Sequence, residues 1–133
     1  NYDLNYINKK SKRVPKKYEK RCRMIVENIF NKPFSSIRPN FLKNPKTGKN
    51  LELDMYNPEL RLAFEYQGVQ HRKYTPFFHK TYTDFVDQID RDTYKVKVCK
   101  AHGIDLIHIP DTVKYDDLEN YIIQQLKNIN RIK

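Results

Sequence analysis

The sequence predicts a mixed α/β fold in which helices cover both sides of one mixed β-sheet. Three observations lead to this prediction: three segments with apolar residues spaced by three and four, one stretch with a two-residue apolar period, and one short apolar run near the C-terminal end. In chain order they give αβββαβα, counting a weak first strand. Because helices alternate with strands towards the end of this order, a sheet flanked by helices is expected.

The helical segments are defined by their apolar spacing. We predict a first helix over 16–31, a second over 83–102 that ends at Gly103, and a third over 116–128. The apolar run from Ile104 to Ile109 is closed by Pro110 and predicts an inner strand. The 19 residues from 32 to 50 contain three prolines and predict an irregular segment with a short strand near 36–38.

The stretch from Leu51 to Glu65 predicts a hairpin of two half-buried strands. Apolar and polar residues alternate on either side of Asn57-Pro58, which predicts the turn. In strict alternation Glu52 shares a face with Asp54 and remains a neighbouring candidate. The hairpin is expected to bring Asp54 and Glu65 together at the strand ends.

Composition predicts a polyanionic partner. The 26 Lys and Arg residues exceed the 16 Asp and Glu residues, which gives a formal net charge of +10 and makes nucleic acid the first candidate. No apolar run approaches the roughly 20 residues of a membrane span, and no secretory signal is recognised, so an intracellular protein without a membrane role is expected. Residues 1–14 are predicted to form a basic flexible arm, and 15–133 a single domain. Cys22 and Cys99 are expected to be buried thiols rather than a disulfide.

Several basic residues are candidates for nucleic-acid binding. They are Lys43, Lys46, Lys49, Arg72, Lys73, Arg91 and Lys95. A solvated loop is an equal alternative for the first three of them. The aromatic residues between 72 and 83 could stack on bases, but packing in the core is the favoured interpretation.

The carboxylates of the hairpin suggest a metal site. Two converging carboxylates followed by an imidazole, His71, are groups that a hard divalent cation and an activated water require. Asp54 and Glu65 are predicted to hold Mg²⁺, for which Mn²⁺ would substitute. The backbone carbonyl of Tyr66 is the candidate third ligand.

Asp54 followed by Glu65-Tyr66-Gln67 resembles the PD-(D/E)XK nuclease pattern, with Gln67 where lysine is usual. The stretches FEYQGVQH and IDRDTYKVKVCKAHGIDLIHIP are similar to the very-short-patch-repair (Vsr-like) endonucleases. The resemblance implies a restriction-endonuclease-like fold and adds Glu27, His71 and Asp92 to the site. Leu53 replaces the proline of the pattern, and the cysteines that hold a structural zinc in mismatch-repair enzymes have no counterparts, so no structural zinc is expected.

The function that these residues imply is Mg²⁺-dependent DNA cleavage. Gln67 would orient water, His71 would accept its proton or steady the phosphoryl group, Asp92 would orient His71, and Glu27 would bind a second metal through water. His71 as a core or capping residue, Asp92 as a salt-bridge partner of Lys95 or Arg91, and Glu27 facing water are the alternatives. A non-catalytic DNA-binding module and a junction-resolving or RNA-cleaving nuclease are the alternative functions, and oligomeric state stays open.

Overall fold

Helices and strands follow one another in the predicted order. The structure is a computed structural model that describes residues 16–68 and 73–133, so the predicted arm at 1–14 lies outside the described residues. The elements are α1 (Lys16–Phe30), β1 (Ser35–Ile37), β2 (Leu53–Asn57), β3 (Leu62–Gln67), α2 (Tyr82–Ala101), β4 (Asp105–Pro110) and α3 (Leu118–Asn128), with a 3-10 turn at Tyr115–Asp117 before α3.

The four strands form one mixed sheet in the order β1-β2-β3-β4. β2 is antiparallel to both of its neighbours, β1 and β3, and β4 is parallel to β3. The predicted mixed α/β class is therefore confirmed. No helix in the described part of the chain is long and apolar enough to cross a membrane.

Two apolar cores lie on opposite faces of the sheet. The α1/α3 core contains Cys22, Val26, Met55, Phe64, Ile109, Ile122 and Leu126, among others. The α2 core contains Leu42, Leu53, Tyr56, Ala63, Cys99 and Ile104. Both cysteines are buried free thiols, as predicted.

β3 is buried on both faces, and the prediction of half-buried strands is therefore wrong for it. Every residue from Leu62 to Tyr66 is buried, and only Gln67 is partly exposed. Apolar and small residues of β3 alternate between the two cores because helices cover both sides of the sheet. Glu65 therefore lies in the interior.

A β-bulge interrupts β2 at the position of Asp54. Ser35 pairs with Tyr56 and Ile37 with Leu53, so two steps along β1 span three along β2. Leu53 packs in the α2 core and Met55 in the α1/α3 core. The strict alternation predicted for 51–56 is therefore wrong, and with it the reason for placing Glu52 beside Asp54. Bulges re-aim side chains and are common beside active sites.

The predicted turn is present but is longer than expected. The Asn57 side chain accepts a hydrogen bond from Leu60 N at 2.9 Å, and Arg61 adopts a left-handed φ of 51°. β3 consequently begins at Leu62, and Leu60 belongs to the turn rather than to the strand.

Both ends of α2 are closed by local hydrogen bonds. Thr81 and Asp84 form a reciprocal capping box at the N-terminal end. At the other end Gly103, with a φ of 69°, donates to Lys100 O at 3.1 Å, and Ile104 N donates to Cys99 O at 2.9 Å, which is a Schellman motif. These caps fix the length of the helix that covers the site.

Candidate active site

Asp54 and Glu65 converge where β2 begins and β3 ends. Asp54 N donates a hydrogen bond to Glu65 Oε2 at 3.3 Å, and Glu65 is only 4% exposed. The charges of the two carboxylates act on each other. The structure thus brings together the two acids that the hairpin pattern paired.

The backbone of Asp54 is held from two sides. Its carbonyl accepts hydrogen bonds from Arg23 Nη2 at 3.1 Å and from Ser36 Oγ at 2.9 Å. Arg23 also donates to the carbonyl of Phe34 and pairs with Glu19 at 3.4 Å. α1 and β1 therefore fix the bulge that carries Asp54.

Lys95 supplies the positive charge inside the site. Its Nζ lies 3.2 and 3.3 Å from the two carboxylate oxygens of Glu65, and its side chain is only 13% exposed. Lys95 thus pairs with a carboxylate inside the site, and its predicted contact with nucleic acid stays a prediction. Lys95 lies three residues after Asp92 and four before buried Cys99, so all three share one face of α2. This spacing is visible in the sequence and could have predicted that Lys95 points towards the site.

Burial raises the pKa values of both acids, and the charges of neighbouring carboxylates add to the rise. Burial raises the pKa of Asp54 to about 8, with further contributions from the charges of Glu65 and Glu19, while Lys95 opposes the rise. Burial also raises the pKa of Glu65, against the effect of Lys95, and the Asp92 charge adds to the rise. One lysine thus faces several carboxylates, and the cluster is short of positive charge.

Asp92, a residue of α2, lies close enough to Glu65 for its charge to raise the pKa of Glu65. Together with Gln67 and His108 it lines a cavity of about 310 Å³. His108 is the register partner of Glu65 across the parallel β3–β4 pair. Sequence reasoning gave no role to His108 because its place beside Glu65 depends on strand pairing.

The acid of α1 that lies near Asp54 is Glu19 and not the predicted Glu27. The carboxylate of Glu27 accepts a hydrogen bond from Phe34 N at 2.8 Å and so ties α1 to the segment before β1. Glu19, two turns earlier, is the α1 acid whose charge acts on Asp54. The structure therefore gives Glu27 a structural contact and places Glu19 at the site, which the sequence prediction missed.

The other predicted site residues fall in two groups. The ring of Tyr66 packs 5.8 Å from that of Tyr18 in the α1/α3 core, and the role of its backbone carbonyl as a ligand stays a prediction. His71 and Arg72 lie outside the described residues, and their roles stay predictions.

The predicted basic residues are dispersed. Lys43, Lys49 and Lys73 are exposed. Lys46 pairs with Asp87 at 2.9 Å and with Asp90 at 3.9 Å, and the Asp87 carboxylate raises its pKa. Arg91 lines two surface cavities along α2. The loop with Lys46 thus packs against the N-terminal half of α2 instead of standing free.

The donors fit a cation that needs few protein ligands. Within 16–68 and 73–133, no group of three or more His, Cys, Asp or Glu side chains is arranged to hold a metal. Mg²⁺ keeps several waters and commonly takes only one or two carboxylates. Glu65, which is buried, and Asp54, which is partly buried, are oxygen donors that match that requirement.

The fold and the site define a mixed α/β protein with a buried cluster of acids and one lysine at an end of its sheet. The chain belongs to the family of Uncharacterized protein 094L of Frog virus 3: the two are 45% identical over 107 residues, which cover 80% of this chain and 68% of that protein.

Two further relatives come from invertebrate iridescent viruses. Uncharacterized protein 033L of virus 3 is 40% identical over 114 residues, covering 86% of this chain and 59% of the relative. Uncharacterized protein 307L of virus 6 is 46% identical over 100 residues, covering 71% and 50%. The chain thus spans between half and three fifths of the length of these two relatives. No family model and no solved structure matches the chain.

Proposed function

We propose that this chain is a Mg²⁺-dependent DNA endonuclease with a restriction-endonuclease-like, Vsr-like fold. The observation that supports this proposal is the cluster of buried Glu65 with partly buried Asp54 and Lys95, in which Lys95 acts on both carboxylates. The formal net charge of +10 supports a polyanionic substrate. The resemblance to the Vsr-like pattern joins these two observations in one activity.

A divalent cation would relieve the shortage of positive charge. Asp54 and Glu65 would hold Mg²⁺, with the Tyr66 carbonyl as a further ligand and Mn²⁺ as a substitute. When bound, the metal supplies charge stabilisation at the phosphoryl oxygens and a more acidic water. It would also favour the ionised form of both acids, which burial disfavours in the protein alone.

The protein's own residues have distinct tasks in this proposal. Lys95 favours the ionised form of Glu65 against the effect of burial and holds its carboxylate in place, and it brings the positive charge that Gln67 lacks. Gln67 orients the attacking water through its amide. His71 accepts a proton from that water, and Asp92 orients the imidazole.

Burial of the acids favours an enzyme over a plain DNA-binding module. Carboxylates at a binding surface would repel the phosphates of DNA, and burying them opposes folding. A surface that only binds DNA gains nothing from Glu65 at 4% exposure. A hydrolytic site gains a water-poor environment in which electrostatic effects are stronger.

Plasmid cleavage tests the proposal. Supercoiled DNA is incubated with the protein and Mg²⁺, Mn²⁺ or EDTA, and we expect nicked or linear products with either metal only. Asp54→Asn should abolish cleavage yet bind DNA at least as tightly, because it removes a negative charge. Asp116→Asn, at an exposed position, is the matched control. Cleavage by Asp54→Asn at the parental rate would refute the site, and binding without cleavage by the parent would favour the non-catalytic module.

A further inference from the structure

The segment before α2 carries an exposed aromatic surface. Tyr74, Phe77 and Tyr82 are 38%, 42% and 63% exposed, and they are the exposed large aromatic residues of the described chain. The sequence-based preference for core packing is wrong for these three residues. Clustered exposed aromatic side chains usually mark an interaction site.

The surface is built on a buried histidine. His79 is 3% exposed; its Nε2 pairs with Gln88 Oε1 at 2.7 Å and its Nδ1 lies 3.1 Å from Thr75 N. Tyr74 stacks on the His79 ring at 6.0 Å, and Phe85 meets that ring edge-on at 5.3 Å. These contacts hold the segment in one shape, which lowers the entropic cost of binding a partner.

Basic residues flank the aromatic side chains. Lys73 and Lys80 are exposed on either side of Phe77. Phe78, which meets Phe77 edge-on at 5.1 Å, lines a cavity of about 430 Å³ together with Lys80 and Arg91. Aromatic faces beside cationic groups match the bases and phosphates of a nucleic-acid strand.

Two acids also line this cavity, but both are engaged. Asp84 closes the capping box with Thr81, and Asp87 pairs with Lys46 at 2.9 Å. Their negative charge is therefore partly offset. The two acids formally balance Lys80 and Arg91 in the cavity, and exposed Lys73 adds a further positive charge to the surface.

α2 connects this surface with the candidate active site. Tyr82 begins the helix, and Lys95 contacts Glu65 from the same helix. At 1.5 Å per residue the two positions are about 20 Å apart along the axis. Because a strand advances about 3.4 Å per nucleotide, about six nucleotides would span this axial distance.

We propose that Tyr74, Phe77 and Tyr82, with Lys73 and Lys80, bind a single-stranded segment of nucleic acid by base stacking. The faces of bases are hidden in a duplex, so free aromatic faces select unpaired bases. This inference rests on the proposed function and names its substrate class, which is DNA with a single-stranded portion near the cleaved bond.

Tryptophan fluorescence provides a direct test, because the chain contains no tryptophan. Phe77→Trp is titrated with an oligothymidylate of about 16 nucleotides in EDTA, and we expect saturable quenching. Met24→Trp, on α1 and 57% exposed, should respond little. Equal quenching of both variants, or none at Phe77→Trp, would overturn the proposal.

Affinity measurements distinguish base stacking from nonspecific apolar binding. By fluorescence anisotropy in EDTA, Phe77→Ala and Tyr82→Ala should each weaken oligothymidylate binding about ten-fold, with a smaller effect on duplex DNA. Phe77→Leu keeps apolar area but should weaken binding similarly. Parental affinity for oligothymidylate in all three folded variants would exclude the surface as a binding site. The proposal would also fail if light scattering showed a dimer that is lost in Phe77→Ala while oligonucleotide affinity is unchanged. Because these assays need no cleavage, they can fail or succeed independently of the nuclease proposal.

Discussion

Asp54 and Glu65 show how a buried charge can be kept for function. Each carboxylate loses hydration on folding, and Lys95 offsets only part of that loss. The site is therefore less stable than an apolar end of the sheet would be. In the proposed function, a bound cation would supply the positive charge that offsets this loss.

Stability should depend on the protonation of Asp54. Its pKa is about 8 in the folded protein against an ordinary value of 3.8, so between these pH values the folded state holds a proton that the unfolded state has lost. The free energy of unfolding should therefore fall as pH rises from about 4 to 8. Asp54→Asn stays neutral, and at pH 8 it should be roughly 3 kcal/mol more stable than the parent.

Urea unfolding of both proteins at pH 5 and pH 8, in EDTA, measures this difference. Mg²⁺ should then stabilise the parent at pH 8 more than it stabilises the Asn variant. If the free energy of unfolding changed equally with pH in the two proteins, Asp54 would be ionised over the whole range from pH 5 to pH 8.

Lys95 should matter to both stability and cleavage. Lys95→Gln leaves buried Glu65 without its cation, which should cost about 3 kcal/mol or more and lower the cleavage rate about 100-fold. Lys97→Gln is the matched control, because Lys97 is exposed on the same helix and should change either property little. Similar behaviour of the two variants, in unfolding and cleavage assays, would remove Lys95 from the site.

At the scale of elements, a bulge and a helix set the position of Asp54. The extra residue in β2 turns the chain, and α1 holds the result through Arg23. α1 is itself tied down by the hydrogen bond between Phe34 N and Glu27. The site thus depends on contacts that contribute no ligand.

Glu27 tests this division between structure and chemistry. Glu27→Ala should destabilise the protein by about 1–3 kcal/mol, because Phe34 N loses its partner. Glu27→Gln keeps an acceptor and should retain most stability and nearly parental cleavage. Loss of cleavage in a stable Glu27→Gln variant would instead support the second-metal role that the sequence suggested.

At the scale of the whole molecule, the proposed association with DNA would depend on positive charge. The excess of ten charges is spread over the chain, and some of it is used in internal pairs such as Lys95 with Glu65. The remaining basic groups are free to displace counterions from phosphates.

DNA affinity should therefore fall steeply with salt. We expect a log–log slope of magnitude about 4 to 8 for duplex DNA if several phosphates are neutralised, and removal of residues 1–14 should reduce both affinity and slope without changing thermal unfolding. Anisotropy titrations over a range of salt concentrations measure both quantities. A slope near zero would contradict an electrostatic DNA interface.

The sequence by itself determined the local structure and the central acid pair. Apolar spacing predicted all three helices within a few residues, Asn57-Pro58 predicted the turn, and Gly103 predicted the end of α2. Antiparallel pairing around that turn was enough to bring Asp54 and Glu65 together. Each of these features depends on residues close together in the chain.

Only the tertiary structure decided which other side chains lie beside Asp54 and Glu65. Lys95 lies 30 residues from Glu65, and its ion pair exists because the Cys99 face of α2 packs on the sheet. The bulge at Asp54 needs β1 as a partner, and the exposure of Phe77 depends on what packs around His79. The spacing of apolar residues predicts which face of a helix or strand is buried, but it does not predict which segment packs against that face. Contacts between distant segments therefore became known only from the tertiary structure.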